Sequence, residues 1–140
     1  MKTSYPKIIE FVLKAEGGYV NNPNDSGLET NFGISKKAYP DLDIKNLTID
    51  KAKEIYKRDY WDKIKGDDLP YPIDMCAMDM AVNAGVSAST TMLRNSKDYK
   101  TFLLNRVDFY INISAKNPKL KEFFRGWVIR VSQLRKLCEE

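Results

Sequence analysis

Apolar residues recur with the three- and four-residue spacing of α-helices over most of this 140-residue chain. The first such segment begins at Ser4, which is suited to capping a helix, and ends before Gly17. Its apolar residues fall on one helical face: Ile8, Ile9, Val12 and Leu13. The pattern therefore predicts an amphipathic first helix that buries one side.

The same spacing, together with capping residues, predicts four more helices. They start near Thr48, after Pro72, near Tyr99 and after Asn117, with Pro118 opening the last one. In that last helix one stripe of apolar residues should belong to the core: Leu120, Phe124, Trp127, Val131, Leu134 and Cys138.

Residues 19–35 interrupt the helical pattern. Residues 21–27 read Asn-Asn-Pro-Asn-Asp-Ser-Gly, which is typical of turns, and apolar residues flank them on both sides. This composition predicts a small β-hairpin insert near residues 19–35 in a mainly α protein. An irregular insert in a helical protein is a common place for functional residues.

The chain contains no histidine, and this narrows the possible chemistry. Without imidazole, a Ser-His-Asp or Cys-His nucleophile and the common zinc sites that require histidine are excluded. Catalysis must then depend on carboxylates, lysine, tyrosine or a thiol. We expect no metal and no organic cofactor.

Positive charge is concentrated in the last third of the chain. Residues 1–93 carry 12 basic and 14 acidic side chains, whereas residues 94–140 carry 11 and 5, a net charge of +6. Such a segment attracts polyanions, among which nucleic acid, anionic lipid and acidic wall polymers fit equally well. The same excess of basic residues would also result if these lysines simply lay on solvent-exposed helix faces and bound no partner.

Glu16, Asp25 and Thr30 lie in or beside the insert and are the candidate catalytic residues. Glu16 falls in the last helical turn, where the helix dipole disfavours a negative charge. The side chains around it could also exclude water: Phe11, Tyr19 and Phe32. Asp25 lies among amide and hydroxyl donors, which favour its charged form. A proton donor and a carboxylate are what glycosidic cleavage requires, and Thr30 could orient the attacking water. The same residue types are also ordinary caps and turn formers.

The sequence around Glu16 resembles a known enzyme family. The similar positions are Ala15-Glu16-Gly17-Gly18-Tyr19-Val20-Asn21, Pro23, Asp25, Gly27, Thr30 and Gly33-Ile34-Ser35. They resemble the opening signature of the phage endolysins and secretion-activator muramidases of glycoside hydrolase family 108, which implies that Glu16 is the catalytic acid. Leu28 stands where a second glycine is usual.

A second, looser resemblance concerns the order of the three candidate residues. Asp25 follows Glu16 by nine residues and Thr30 follows Asp25 by five. This order is similar to the Glu-Asp-Thr triad of phage T4-type lysozymes, where the last gap is one residue longer. The similarity implies catalytic roles for Asp25 and Thr30 and favours inversion at the anomeric carbon.

The first resemblance extends into the second half of the chain. Residues 79–85 and 124–131 are similar to the family's C-terminal half, which is often labelled a predicted peptidoglycan-binding region. The resemblance implies a single lysozyme-like domain over residues 1–140. Its catalytic lobe would span residues 1–70 and a helical lobe residues 71–140.

Tyr19 and Asn83 are candidates for binding the substrate. Tyr19 adjoins the glycines that follow Glu16 and could line a groove. Asn83 offers an amide that could bind the N-acetyl or hydroxyl groups of a sugar. The sequence Asn83-Ala84-Gly85 equally resembles an ordinary helix C-terminus, so both interpretations stay open.

We therefore expect a peptidoglycan hydrolase that cleaves the β-1,4 bond between N-acetylmuramic acid and N-acetylglucosamine by carboxylate acid/base catalysis. One alternative is a lytic transglycosylase, which would use Glu16 alone. A second alternative is a non-catalytic module that binds the cell wall or nucleic acid, although no interleaved aromatic platform supports nucleic acid.

The remaining expectations concern location and partners. Residues 1–14 lack an uninterrupted apolar signal core, and no stretch is long and apolar enough to span a bilayer. We expect synthesis in the cytoplasm, release through a holin or a secretion apparatus, and action on the periplasmic cell wall as a monomer, without nucleic acid and without membrane insertion. Cys76 and Cys138 are expected to be reduced core thiols, with a disulfide as the alternative.

Overall fold

The computed structural model describes residues 4–21 and 28–140, which form six α-helices and a small antiparallel sheet. The α-helices are α1 (Ser4–Glu16), α2 (Ile49–Tyr56), α3 (Ile73–Ala84), α4 (Val86–Arg94), α5 (Tyr99–Lys116) and α6 (Lys121–Cys138). Shorter helical turns span Lys57–Trp61, Gly66–Asp68 and Pro118–Leu120. The prediction of a mainly α fold is confirmed.

Side-chain caps fix the starts of three helical segments. The hydroxyl of Thr48 accepts a hydrogen bond from the Lys51 amide at 3.1 Å. The carboxylate of Asp98 caps α5 in the same way through the amide of Thr101, at 2.8 Å. Asn117 caps the short turn that leads into α6. These contacts satisfy amide groups that have no partner within the helix.

The insert is a three-stranded antiparallel sheet. Its strands, in spatial order, are β1 (Val20–Asn21), β2 (Glu29–Asn31) and β3 (Ile34–Ser35). Asn31 pairs with Ile34 across a two-residue turn in which Phe32 and Gly33 have φ values of 54° and 78°. Two positive φ values are typical of a type I′ hairpin turn. The predicted hairpin insert is confirmed, and a third strand is added to it.

Helix α3 lies at the centre of the helical packing. Every residue from Ile73 to Ala81 is buried, and α1, α4, α5 and α6 all contact this helix. Two of its buried residues are aspartates. Asp74 accepts a hydrogen bond from the amide of Met75 at 2.8 Å, whereas Asp79 is contacted by arginine side chains. A carboxylate in such a position requires partners, because burying an unpaired charge is costly.

Helix α3 ends where the sequence pattern indicated, and α4 follows it directly. Gly85 separates the two helices with a φ of +103°, a conformation that side-chain-bearing residues rarely adopt. The helix C-terminus at Asn83-Ala84-Gly85 is therefore confirmed. Helix α4 was not predicted.

Two further expectations were based on composition. Cys76 and Cys138 are both buried and free, with their Sγ atoms 3.5 Å apart. Over the described ranges 4–21 and 28–140, the structure has no helix with the length and apolarity needed to cross a membrane.

Candidate active site

Glu16 is the last residue of α1, and its side chain is only partly accessible. Ile8, Ile9 and Val12 are buried in the core, and Ile9 and Val12 lie on the same face of the helix as Glu16, two turns and one turn before it. Gly17 stops the helix with a φ of +82° while its amide still donates to the carbonyl of Leu13 at 3.1 Å. The Glu16 side chain is 23% exposed, so a ligand can reach a carboxyl that the protein otherwise holds.

The β2–β3 turn packs directly against Glu16. A Cβ atom on Gly33 would lie 2.8 Å from Oε1 of Glu16 and 2.6 Å from the hydroxyl of Tyr56, so only glycine fits there. The Tyr56 hydroxyl donates to the carbonyl of Phe32 at 2.6 Å, which ties the turn to α2. Burial, and then the charge of Glu16, raise the pKa of Tyr56, so its hydroxyl stays a donor.

Arg130 of α6 contacts the other side of the carboxyl. Its Nη1 donates to Oε2 of Glu16 at 2.7 Å, and its Nη2 donates to Oδ1 of Asp79 at 2.8 Å. Its Nε lies 3.1 Å from Oδ2 of Asp79. One planar guanidinium therefore joins the carboxyl groups of α1 and α3, which is a geometry that lysine does not reproduce.

A second arginine completes the charge balance around Asp79. Arg106 of α5 donates from Nη1 to Oδ2 of Asp79 at 2.8 Å, and both side chains are fully buried. Burial raises the pKa of Asp79, but the charges of Arg106 and Arg130 lower it by a larger amount. The pKa of Asp79 therefore lies below its usual value. Arg106 and Arg130 thus place two positive charges against the buried carboxylate of Asp79.

A chain of hydrogen bonds continues from Arg106 to Asn83. Nε of Arg106 donates to the hydroxyl of Tyr110 at 2.8 Å, and that hydroxyl donates in turn to Oδ1 of Asn83 through a short contact. The ring of Trp127 stacks on Tyr110, with centroids 4.6 Å apart. Asn83 therefore belongs to the same network as Glu16, and its side chain also lines a surface groove.

Thr30 is the middle residue of the central strand. It pairs with Val20 on β1 and with Ser35 on β3, and it is half-buried. Because side chains alternate along a strand, Thr30 faces the side of the sheet opposite to Glu29 and Asn31. Asp25, the other predicted partner of Glu16, lies outside the described residues.

Tyr19 lies between α1 and β1 and is 40% exposed. Its hydroxyl donates to Oε2 of Glu29 at 2.7 Å. This hydrogen bond is the first cause of a pKa for Tyr19 above its usual value. Glu29 is a carboxylate of the insert that the sequence analysis did not select.

The predicted surroundings of Glu16 are wrong in one respect. The sequence predicted apolar side chains around this carboxyl, but a cation, Arg130, contacts it at 2.7 Å. Arg130 is part of segment 124–131, which carries the family resemblance, yet its place beside Glu16 depends on packing between helices far apart in sequence. Among the described residues, no three side chains of the metal-ligating types form a cluster that could hold a metal ion.

Comparisons with known proteins identify a family and a similar solved structure. The sequence profile described as glycosyl hydrolase 108 matches residues 9–85. A solved structure titled "Structure of Brucella abortus SagA" superimposes with a TM-score of 0.79 and 28% sequence identity, covering 97% of this chain and 94% of that one. No curated protein sequence matches this chain significantly.

Proposed function

The chain belongs to glycosyl hydrolase family 108, and from that membership we propose that it hydrolyses the β-1,4 bond between N-acetylmuramic acid and N-acetylglucosamine in peptidoglycan. The observation that carries the proposal is the setting of Glu16. Its carboxyl is held between the Gly33 turn and Arg130, yet 23% of the side chain remains exposed. A positioned and accessible carboxyl group is what a glycosidase acid requires.

In this proposal Glu16 gives its proton to the leaving glycosidic oxygen as the bond to the anomeric carbon breaks. Arg130 then has two roles. Before the reaction it orients the carboxyl by holding Oε2 at 2.7 Å. After the transfer its positive charge stabilises the carboxylate that remains, and uptake of a proton from solvent restores the acid.

Asp25 and Thr30 supply the second half of the reaction in this proposal. The carboxylate of Asp25 accepts a proton from the attacking water and then releases it to solvent, or it balances the positive charge that develops at the anomeric carbon while the proton of the water passes to Glu16. Thr30 orients that water through its hydroxyl. The support from the structure is the place of Thr30 in the central strand, two residues before the turn that packs on Glu16.

Tyr19 and Asn83 are proposed to bind the substrate. The exposed ring of Tyr19 follows the glycines at the end of α1 and would contact a sugar beside Glu16. Asn83 would hydrogen-bond a sugar in the surface groove that it lines. The basic last third would favour adsorption to an anionic wall, and this effect should weaken as salt rises.

The test is clearance of purified peptidoglycan by the wild-type protein and by Glu16→Gln. The amide keeps the shape of the side chain but has no transferable proton, so we expect a loss of at least about a hundredfold. Glu10→Gln is the matched control, because Glu10 is exposed on the same helix. Equal clearance by wild type and Glu16→Gln would overturn the assignment.

The products separate hydrolysis from transglycosylation. Hydrolysis adds one water per bond, which heavy-oxygen water would place at the new reducing end. Anhydromuramyl ends without label would instead show a transglycosylase and would remove Asp25 from the mechanism.

A further inference from the structure

A groove of about 420 Å³ runs along α6 beside the candidate active site. At one side it reaches Ala15, the residue before Glu16, and Arg130, whose guanidinium is bonded to Glu16. The other lining residues are Asn83, Glu122, Phe123, Gly126, Trp127, Ile129 and Gln133. The groove thus shares Arg130 with the candidate active site.

Aromatic rings form one wall of the groove. Phe123 is 49% exposed, and its ring centroid lies 5.9 Å from that of Trp127. Trp127 stacks in turn on Tyr110 with an interplanar angle of 18°. An exposed ring supported from behind offers a rigid apolar surface, and the C–H face of a pyranose packs well on such a ring.

The hydrogen-bond chain behind the groove sets the orientation of Asn83. The Tyr110 hydroxyl accepts from Arg106, so its own proton is available to Oδ1 of Asn83. The carbonyl side of the Asn83 amide is thereby occupied within the protein. Its NH₂ group is left as a donor for the groove, where a carbonyl oxygen of a ligand could accept from it.

Gly126 leaves open space along the groove. A Cβ atom built on this residue would have no heavy atom within 4 Å, beyond its chain neighbours and the backbone of its own helix. Glycine is a poor helix former, yet this one lies inside the 18-residue helix α6. A missing side chain at this point lets a ring approach the backbone of the helix closely.

We propose that this groove is a binding subsite for an N-acetylated sugar of the glycan strand. The sugar ring would pack on Phe123 and over Gly126, and its acetamido carbonyl would accept from the amide of Asn83. The inference rests on the proposed function, because it places a sugar of the same glycan strand beside the carboxyl of Glu16.

The test measures binding apart from catalysis. Glu16→Gln serves as the parent, and two probes are used: purified peptidoglycan in a co-sedimentation assay, and a soluble β-1,4-linked tetramer of N-acetylglucosamine followed by tryptophan fluorescence. Gly126→Leu should fill the groove and Phe123→Ala should remove its wall, and each should weaken binding by about tenfold or more. Gly126→Leu also replaces a poor helix former, so we expect the melting temperature to stay or rise.

Ser132→Leu in the same parent is the matched control. It adds the same side chain at an exposed position of α6 that does not line this groove, and binding should not change. A fully de-N-acetylated tetramer should bind the parent more weakly than the N-acetylated tetramer does. In Asn83→Ala the affinities for the two tetramers should differ by less than they do in the parent. Unchanged binding by Gly126→Leu would overturn the subsite.

The two proposals can fail separately. Peptidoglycan hydrolysis by the wild type together with unimpaired binding by Gly126→Leu would refute the subsite and leave the hydrolase. Loss of binding in Gly126→Leu without any hydrolysis by the wild type would support the subsite and refute the hydrolase.

Discussion

Nη1 of Arg130 lies 2.7 Å from Oε2 of Glu16, although 114 positions separate the two residues along the chain. The same guanidinium reaches Asp79 with its other edge. The end of α1 is therefore fixed relative to α3 and α6 by one side chain. Four predictions follow from the contacts around it and from the core behind it.

Arg130→Lys should lower kcat by about tenfold to a hundredfold, because an ammonium group cannot hold Glu16 and Asp79 together in one plane. The charge is kept, so the protein should remain folded. Steady-state turnover of peptidoglycan fragments measures the effect. Arg135→Lys is the control, since Arg135 is exposed on the same helix and pairs with Glu139. Full activity of Arg130→Lys would contradict a positioning role.

Gly33→Ala should destabilise the protein by about 1 to 3 kcal/mol and reduce activity. The new Cβ would meet Glu16 and the hydroxyl of Tyr56 at under 3 Å, and alanine rarely adopts a φ of +78°. Urea denaturation and peptidoglycan clearance measure the two effects. Gly18→Ala is the matched control, because a Cβ there would have no atom within 4 Å and φ is not in the left-handed region. Similar behaviour of both variants would contradict the tight packing.

Asp79→Asn should destabilise the protein at pH 7 by about 3 kcal/mol, because Arg106 and Arg130 would lose the carboxylate between them. The pKa of Asp79 is lower in the folded state than in the unfolded state, where it is about 3.9. Its ionisation therefore contributes stability above about pH 4, and this contribution is lost as pH falls through the folded pKa.

The corresponding measurement is urea denaturation of both proteins from neutral to acidic pH. The stability difference between wild type and Asp79→Asn should narrow as the pH falls below about 4. A difference that does not vary with pH would contradict the assignment of an ionised Asp79.

Cys76 and Cys138 should resist alkylation in the folded protein. A hydrogen bond with Cys138, and then burial, raise the pKa of the Cys76 thiol, and the reactive form is the thiolate. With iodoacetamide, mass spectrometry should find no label on the native protein under conditions in which the urea-unfolded protein gains two. Cys138→Ser should gain one label on unfolding. Rapid labelling of either native thiol would contradict the packing around them.

Five of the six α-helices were predictable, because capping residues and apolar stripes mark them locally in the sequence. Thr48 and Asn117 are local capping signals, and the apolar stripes show which face each helix buries. Helix α4 has weaker signals: no side chain caps it, and its sequence begins Val-Ser-Ala-Ser-Thr-Thr. The third strand was missed because Phe32 at a positive φ is an unusual choice for a hairpin turn.

The sequence predicted the catalytic acid of the candidate site, but it did not predict the arginines that contact the carboxyl groups there. Glu16 is marked by the glycines that end its helix and by the family resemblance. The contacts of Arg130 and Arg106 with α1 and α3 come from tertiary packing, and no local spacing encodes a contact across 114 residues. Asp79 was visible in the sequence as a neighbour of Asn83, but its burial between two cations was not.

The match to the family profile ends at residue 85. The arginines that contact Glu16 and Asp79 lie beyond that residue, at positions 106 and 130. A truncated fragment that stops at Gly85 would keep Glu16 and Asp79 and lose both Arg106 and Arg130. Asp79 would then be a charge in an apolar interior without a counter-ion, and Oε2 of Glu16 would lose its hydrogen-bond partner Arg130. We therefore expect the segment that the profile matches to be unstable when it is expressed alone.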